Sequence, residues 1–154
     1  MMDELYREVL LDHHRSPRHK ASLSEYDSEA SGKNPSCGDE VTLQLAFDGD
    51  VVADVSVDTH GCAIATASGS ILAELVVGRS RAEVRRLAEA FRQIMHSKDG
   101  ELADDLDPGD LEVLTGVRNF PVRVKCALLP WITLLEAVTA ADQGRAAAEA
   151  TTEV

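Results

Sequence analysis

An apolar residue occurs at every second position over residues 40–57, except across residues 48–50, which read Asp-Gly-Asp. The apolar positions of this alternation are Val41, Leu43, Leu45, Phe47, Val51, Ala53, Val55 and Val57. A period of two is typical of a strand with one buried face, and Asp and Gly favour a tight turn. The pattern therefore predicts two antiparallel strands that form a hairpin.

Two other segments have the period of an amphipathic helix. Residues 3–14 place their apolar side chains on one side, and this helix is predicted to end before Pro17. Ser80 and Glu83 form a capping-box pattern, which marks the start of a second helix. The apolar residues that follow keep the helical spacing as far as Met95.

Between Met95 and the end of the sequence, a long connection and a further helix are predicted. Residues 97–119 are acidic and contain Pro and several Gly, which favours a connection with a short helical piece near Leu111. The apolar stretch after Cys126 predicts a helix in which Pro130 is tolerated only in the first turn.

Length and charge narrow the class of protein. A chain of 154 residues is the size of one compact domain, so residues 1–148 are expected to form a single domain and residues 149–154 a disordered tail. The formal net charge of −12 disfavours nucleic acid as a partner, although part of it serves solubility. No apolar run approaches a bilayer span and no secretory signal is seen, so a cytoplasmic location without a membrane partner is expected.

The cysteines are the candidates for chemistry. Cys37, Cys62 and Cys126 are an odd number, which cannot form a complete disulfide framework. A hairpin turn at residues 49–50 places Cys37 opposite Cys62, and a turn at residues 48–49 offsets them by only two residues, so in either case these two thiols and Asp39 meet at one end of the sheet. A carboxylate buried beside thiols is costly unless it binds a cation, and zinc accepts both ligand types. Cys126 would complete a set of four, which spacing alone does not show, and inert burial of each thiol is the alternative.

Four motifs resemble those of the U-type iron–sulfur scaffold family, which is related to NifU and IscU. Residues 34–39 read Asn-Pro-Ser-Cys-Gly-Asp and are similar to the family's NPxCGD motif. Residues 61–70 resemble its GCxISxASxS motif, residues 120–126 its last cysteine motif, and residues 11–18 its amino-terminal signature. The motifs occur in the family's order within residues 5–139.

Two features resemble the SufU branch of that family more than the IscU branch. IscU has a histidine directly before its last cysteine, whereas Lys125 precedes Cys126 here. The connection between His96 and Asn119 is similar to the insertion that separates SufU from IscU. Thr59 departs from the family, which usually has Gly there, and this leaves the turn before the second cysteine open.

The resemblance implies an α+β fold of the SufE/NifU-like (IscU-like) type, with a small antiparallel sheet of about three strands and helices packed on one side. It implies a sulfur relay in which Cys37 accepts persulfide sulfur from a cysteine desulfurase of the SufS type, with downstream SUF scaffold proteins as further partners. A histidine of the desulfurase would take the zinc position that Cys37 leaves. The implied zinc ligands are Cys37, Asp39, Cys62 and Cys126.

Alternatives remain open at this level. The same residues can hold a [2Fe–2S] cluster on an IscU-like assembly scaffold, and a purely structural zinc in a non-catalytic domain would need the same ligands. His60 is either a substitute ligand or a solvated loop histidine. Arg123 either steadies the Cys37 sulfur or pairs with the acidic connection, and His13 is interpreted as a structural or partner contact.

Overall fold

The computed structural model describes residues 2–16, 21–97 and 100–152. Five α-helices and four β-strands lie within these segments, together with two short 3₁₀ turns, so the predicted α+β class is confirmed. In chain order the elements are α1 (Met2–Arg15), β1 (Ser28–Asn34), β2 (Asp39–Asp48), β3 (Val51–His60), α2 (Ala63–Val76), α3 (Arg81–Met95), α4 (Leu111–Leu114), α5 (Pro121–Asp142) and β4 (Ala147–Thr151).

The strands form one sheet in the order β3-β2-β1-β4. The β1–β2 and β2–β3 pairs are antiparallel, whereas β4 runs parallel to β1. Buried apolar side chains of the sheet pack against α2 and α5, which confirms the expected layer of helices. The packing is close: a Cβ added at Gly32 of β1 would lie 2.0 Å from the Thr133 hydroxyl of α5.

The predicted hairpin is confirmed as β2 and β3. Gly49 lies in its turn with φ +63°, a conformation that glycine adopts without strain. Asp48 pairs with Val51, as a turn at residues 49–50 requires.

The prediction that Cys37 faces Cys62 across this hairpin is wrong. A bulge between Ala46 and Phe47 shifts the pairing by one residue over the rest of the two strands. In addition, β2 begins only at Asp39, so Cys37 lies in the turn before it. The thiols therefore do not meet as opposite residues of one ladder.

The sheet has one strand more than expected, and this strand corrects the prediction of a disordered tail at residues 149–154. Residues 147–151 form β4, while residues 153–154 lie outside the described residues. Without β4, the N–H and C=O groups along one side of β1 would have no strand partner. The pairing ends with Thr152 N donating to Lys33 O at 3.1 Å.

The helices agree with prediction except at the start of α5. α1 ends at Arg15, with Pro17 outside the described residues, and α3 has the capping box of Ser80 and Glu83. α5 begins at Pro121, so Pro130 lies inside the helix and not in its first turn. A proline is favourable in the first turn because its missing N–H has no helical partner there, which explains the earlier start.

α5 also corrects the expectation that no segment approaches a membrane span. By length and composition this helix is apolar enough to cross a membrane, but 67% of its apolar window is buried inside the protein. Trp131 is 1% exposed, and its ring centroid lies 5.6 Å from that of Phe91 in α3. The apolar surface of α5 is therefore largely the surface on which the core is built.

Candidate metal centre

Cys37 lies in the four-residue turn that joins β1 to β2. Its backbone N–H donates to the carbonyl of Asn34 at 3.3 Å, and that of Gly38 donates to the same oxygen at 2.8 Å. Gly38 has φ +76°, which favours glycine at this point. The turn leaves Cys37 exposed, while its sulfur points to Asp39, with 3.1 Å between Cys37 Sγ and Asp39 Oδ2.

Asp39, the first residue of β2, is 1% exposed. Its Oδ1 accepts the backbone N–H of Cys62 at 2.8 Å, and its Oδ2 lies 3.6 Å from Cys62 Sγ. Burial acts to raise the pKa of this carboxyl, but hydrogen bonds from the Cys37 thiol, the Cys62 N–H and the Cys126 thiol together hold it below its ordinary value. The ionised form of Asp39 is therefore the favoured one.

Cys62 is the N-cap of α2. Its sulfur accepts the N–H of Ala65 at 3.5 Å, so the side chain caps the first turn of the helix. The preceding Gly61 is needed for a close approach, because an added Cβ would lie 2.2 Å from Asp39 Oδ1.

Cys126 lies in the second turn of α5. It is 1% exposed, and its sulfur lies 3.5 Å from Cys37 Sγ. Pro130, four residues later, has no N–H, so the Cys126 carbonyl lacks the usual helical hydrogen bond. Sequence spacing could not show this link between Cys126 and Cys37, and the structure provides it.

The donor atoms of this site suit a divalent cation. The ligand atoms of Cys37, Asp39 and Cys126 lie within 4.8 Å of one another, and Cys62 contacts Asp39 from the start of α2. Burial raises the pKa of both the Cys37 and Cys126 thiols, and hydrogen bonds to Asp39 raise them further. A cation among these thiols would reverse that balance, because it favours the thiolate. Three thiols and a carboxylate are a fitting set for tetrahedral zinc.

Three other predicted residues lie outside this group of donors. The His60 side chain is 72% exposed and its Nε2 lies 3.2 Å from Asp58 Oδ2, which favours the solvated alternative. Arg123 is exposed in the first turn of α5. His13 is 1% exposed, with Nδ1 2.7 Å from Ser70 Oγ.

The contacts of His13 support a structural role. Its Nε2 lies 3.0 Å from Asp110 Oδ2 and 3.5 Å from Glu74 Oε1. These partners belong to α2 and to the acidic connection, so the imidazole joins α1 to both.

Sequence reasoning overlooked Asn34, which contacts the Cys37 sulfur. Its Nδ2 donates to Cys37 Sγ at 2.9 Å. The signal was its position at the start of the Asn-Pro-Ser-Cys-Gly-Asp motif, where only the cysteine and the aspartate were given roles.

Comparison with known proteins places the chain in a family. The model of the NifU-like N-terminal domain matches residues 5–139. The chain therefore belongs to the NifU-like N-terminal domain family, as the four motifs indicated. Within it, the chain is 36% identical over 143 residues to the zinc-dependent sulfurtransferase SufU of Bacillus subtilis, covering 93% of this chain and 95% of the relative.

Further similar proteins include one that is named IscU and one that is named SufU. The chain is 35% identical over 137 residues to the iron–sulfur cluster assembly scaffold protein IscU of Streptococcus pyogenes, covering 89% of this chain and 84% of the relative. A solved structure from Fervidobacterium islandicum, named as an iron–sulfur cluster assembly scaffold protein for the SUF system (FiSufU), superposes with a TM-score of 0.79. It is 35% identical and covers 85% of this chain and 94% of its own. The chain is thus of the SufU/IscU type.

Proposed function

We propose that the chain is a zinc-dependent sulfur-relay protein of iron–sulfur cluster assembly. It takes persulfide sulfur from a cysteine desulfurase of the SufS type in the cytoplasm and passes it to downstream SUF scaffold proteins. The observation that carries this proposal is the unequal exposure of the three thiols: Cys37 is exposed, Cys62 is half-buried and Cys126 is buried. A sulfur acceptor must be reachable by the partner's persulfide, whereas the other thiols need only hold the metal.

Zinc would be held by the four residues around the sheet end, namely Cys37, Asp39, Cys62 and Cys126. When bound, the ion keeps coordinated thiols deprotonated at neutral pH. Two observations favour zinc over an iron–sulfur cluster: the B. subtilis relative is named zinc-dependent, and Lys125 occupies the position of the IscU histidine.

Cys37 performs the transfer as a nucleophile. Its thiolate attacks the outer sulfur of the desulfurase persulfide, and a new S–S bond forms as the bond to the desulfurase sulfur breaks. The electron pair of the broken bond leaves with the desulfurase thiolate, so the step needs no external oxidant or reductant. The product is a persulfide on Cys37, at the exposed turn from which a further acceptor can take the outer sulfur.

A second candidate is an assembly scaffold that holds a [2Fe–2S] cluster on the same residues. The name of the S. pyogenes relative favours it, and three thiolates with a carboxylate can ligate such a cluster. The two candidates differ in the metal of the purified protein: the relay holds about one zinc per chain, whereas the scaffold holds iron and sulfide with a visible chromophore.

The relay is tested by Cys37→Ser. Because serine lacks a nucleophilic sulfur, we expect this variant to abolish stimulation of the desulfurase, even in fractions that retain zinc and a melting temperature close to that of the wild type. After reaction of the wild type with desulfurase and cysteine, mass analysis should find an added sulfur on the Cys37 peptide.

Cys62→Ser is the matched control, because it removes a thiol of the same set that is not the acceptor. Its activity should fall in step with its zinc content. Full stimulation by zinc-loaded Cys37→Ser would contradict the relay.

A further inference from the structure

Asn34 lies at the base of the turn that presents Cys37. It is the last residue of β1 and pairs with Asp39 at the end of the β1–β2 ladder. The residue is 1% exposed, yet its side-chain Nδ2 is 2.9 Å from the sulfur of the exposed Cys37. Asn34 is not among the four proposed metal ligands, but its side chain contacts the sulfur of one of them.

The orientation of the Asn34 amide follows from its neighbours. The backbone N–H of Ser36 is 3.3 Å from Asn34 Oδ1, and a backbone N–H can only donate. The oxygen must therefore face Ser36, and the NH₂ group faces Cys37 Sγ. The main-chain carbonyl of Asn34 accepts the N–H groups of Cys37 and Gly38, so one residue both closes the turn and donates to the sulfur.

The Cys37 sulfur has two other side-chain contacts, of which only the Cys126 thiol can donate a hydrogen bond to it. Asp39 Oδ2 lies at 3.1 Å and Cys126 Sγ at 3.5 Å. An amide N–H is a donor without net charge, which can be buried here at less cost than a Lys or Arg side chain. A hydrogen bond to an anionic acceptor is stronger than one to a neutral acceptor, so the Asn34 contact strengthens when the sulfur carries charge.

We propose that Asn34 is a positioning residue for sulfur transfer, whose buried amide holds Cys37 Sγ in place at the exposed turn. The proposal rests on the proposed relay function and deepens it. In the transfer step the Asn34 N–H remains hydrogen-bonded to Cys37 Sγ, while an electron pair of that sulfur forms the new S–S bond. The nucleophile therefore keeps a protein donor while it turns to the partner's persulfide.

Two substitutions separate the donor from the turn. In Asn34→Ser the short hydroxyl can still accept the Ser36 N–H, but it does not reach the sulfur. In Asn34→Asp the shape and the acceptor are kept, but a carboxylate oxygen replaces the donor. Asn119→Ser is the matched control, since Asn119 is exposed outside the metal centre.

The first measurement is desulfurase stimulation by zinc-loaded protein over a range of protein concentrations. We expect Asn34→Ser to lower the maximal rate about tenfold and Asn34→Asp to lower it further, with unchanged half-saturating concentration and zinc content. Asn119→Ser should match the wild type. A merely structural role would lower the zinc content or weaken docking, and either of these results without a lower maximal rate would overturn the proposal.

The second measurement needs no desulfurase. In each protein, the rate of iodoacetamide alkylation of Cys37 is divided by that of Cys62, whose sulfur has its own donor in Ala65. We expect this ratio to fall in both Asn34 variants, and an unchanged ratio would overturn the proposal even if one variant is poorly folded. If the wild type gains no sulfur on Cys37 but the ratio falls, the relay function fails while the Asn34–Cys37 contact stands.

Discussion

A carboxylate lies at each end of α5, buried Asp39 at one end and exposed Asp142 at the other, and the two are held in different ways. About 24 Å of helix separates Cys126 at the thiol end from Asp142 at the other. Asp142 accepts hydrogen bonds from Arg85 and from Arg81, the latter at 2.5 Å, and the first of these is the main reason that its pKa lies below the ordinary value. Asp39 at the thiol end also has a lowered pKa, but its partners are an N–H group and thiols.

At the Asp142 end of α5, the charge of the carboxylate is balanced by two arginines of the protein itself. The Arg81 guanidinium also lies 3.8 Å from the centre of the Phe47 ring, and Val51 of the hairpin bridges to Ser80 at the start of α3. At the thiol end, Asp39 is buried with donors that carry no positive charge. One end is therefore held by partly exposed ion pairs, while the other has the donor set that the proposed zinc would need.

Of the three changes considered, metal removal should have the largest effect on stability, and it should act at the thiol end. Because a metal that binds only the folded state stabilises it by mass action, a chelator should lower the free energy of unfolding by roughly 4 kcal/mol and the melting temperature by roughly 10 °C. Differential scanning calorimetry before and after chelation measures the change, and metal analysis should first find one zinc per chain. An unchanged melting temperature would mean that the thiol end needs no cation.

Gly61→Ala should test whether the thiol end needs the Asp39 carboxylate in its observed position. The new Cβ would lie 2.2 Å from Asp39 Oδ1 and 2.9 Å from its Cβ, so the carboxylate must move away from Cys62. We expect a loss of about 2 kcal/mol in unfolding free energy and a lower zinc content. Gly49→Ala is the control at the hairpin turn, where nothing lies within 4 Å of the new Cβ. It should cost about 1 kcal/mol through its positive φ and leave zinc unchanged; equal zinc loss in both variants would contradict the steric argument.

Asp142→Asn should have the smallest effect, because its ion pairs are partly exposed. We expect the variant to lose about 0.5–1 kcal/mol of unfolding free energy at pH 7. A carboxyl whose folded pKa is lowered contributes stability above its ordinary pKa of 3.8 and loses it as the pH falls through the lowered value. Urea denaturation at pH 7 and near pH 3 should therefore show the difference between variant and wild type shrinking in acid, and at pH 7 the two proteins should contain the same amount of zinc. A difference that persists or grows in acid would exclude charge as its source.

The parts of the fold that could be predicted are those with a strong local pattern. The β2–β3 hairpin and the capping box of α3 follow from residue periodicity and turn chemistry. β1 reads Ser-Glu-Ala-Ser-Gly-Lys-Asn and β4 reads Ala-Ala-Glu-Ala-Thr, so Thr151 is the one β-branched residue in either strand and neither composition marks a strand. β1 pairs with β2 on one side and with β4 on the other, and this long-range pairing is not contained in a local pattern.

The candidate site divides in the same way. Cys62 and Asp39 could be brought together from the hairpin, even though a bulge changed the register by one residue. The approach of Cys126 to Cys37 depends on how α5 packs across the sheet, and only the family resemblance indicated it beforehand. The Asn34–Cys37 contact depends on the conformation of one turn, which its polar sequence does not determine.

The parallel pairing of β4 with β1 has a consequence for synthesis on the ribosome. β1, β2 and β3 are complete once residue 60 has been made, but the outer side of β1 waits for residues 147–151. The thiol set likewise waits for Cys126 in α5. The nascent chain therefore presents an open strand edge and two early cysteines together, the state in which aggregation and premature oxidation compete with folding.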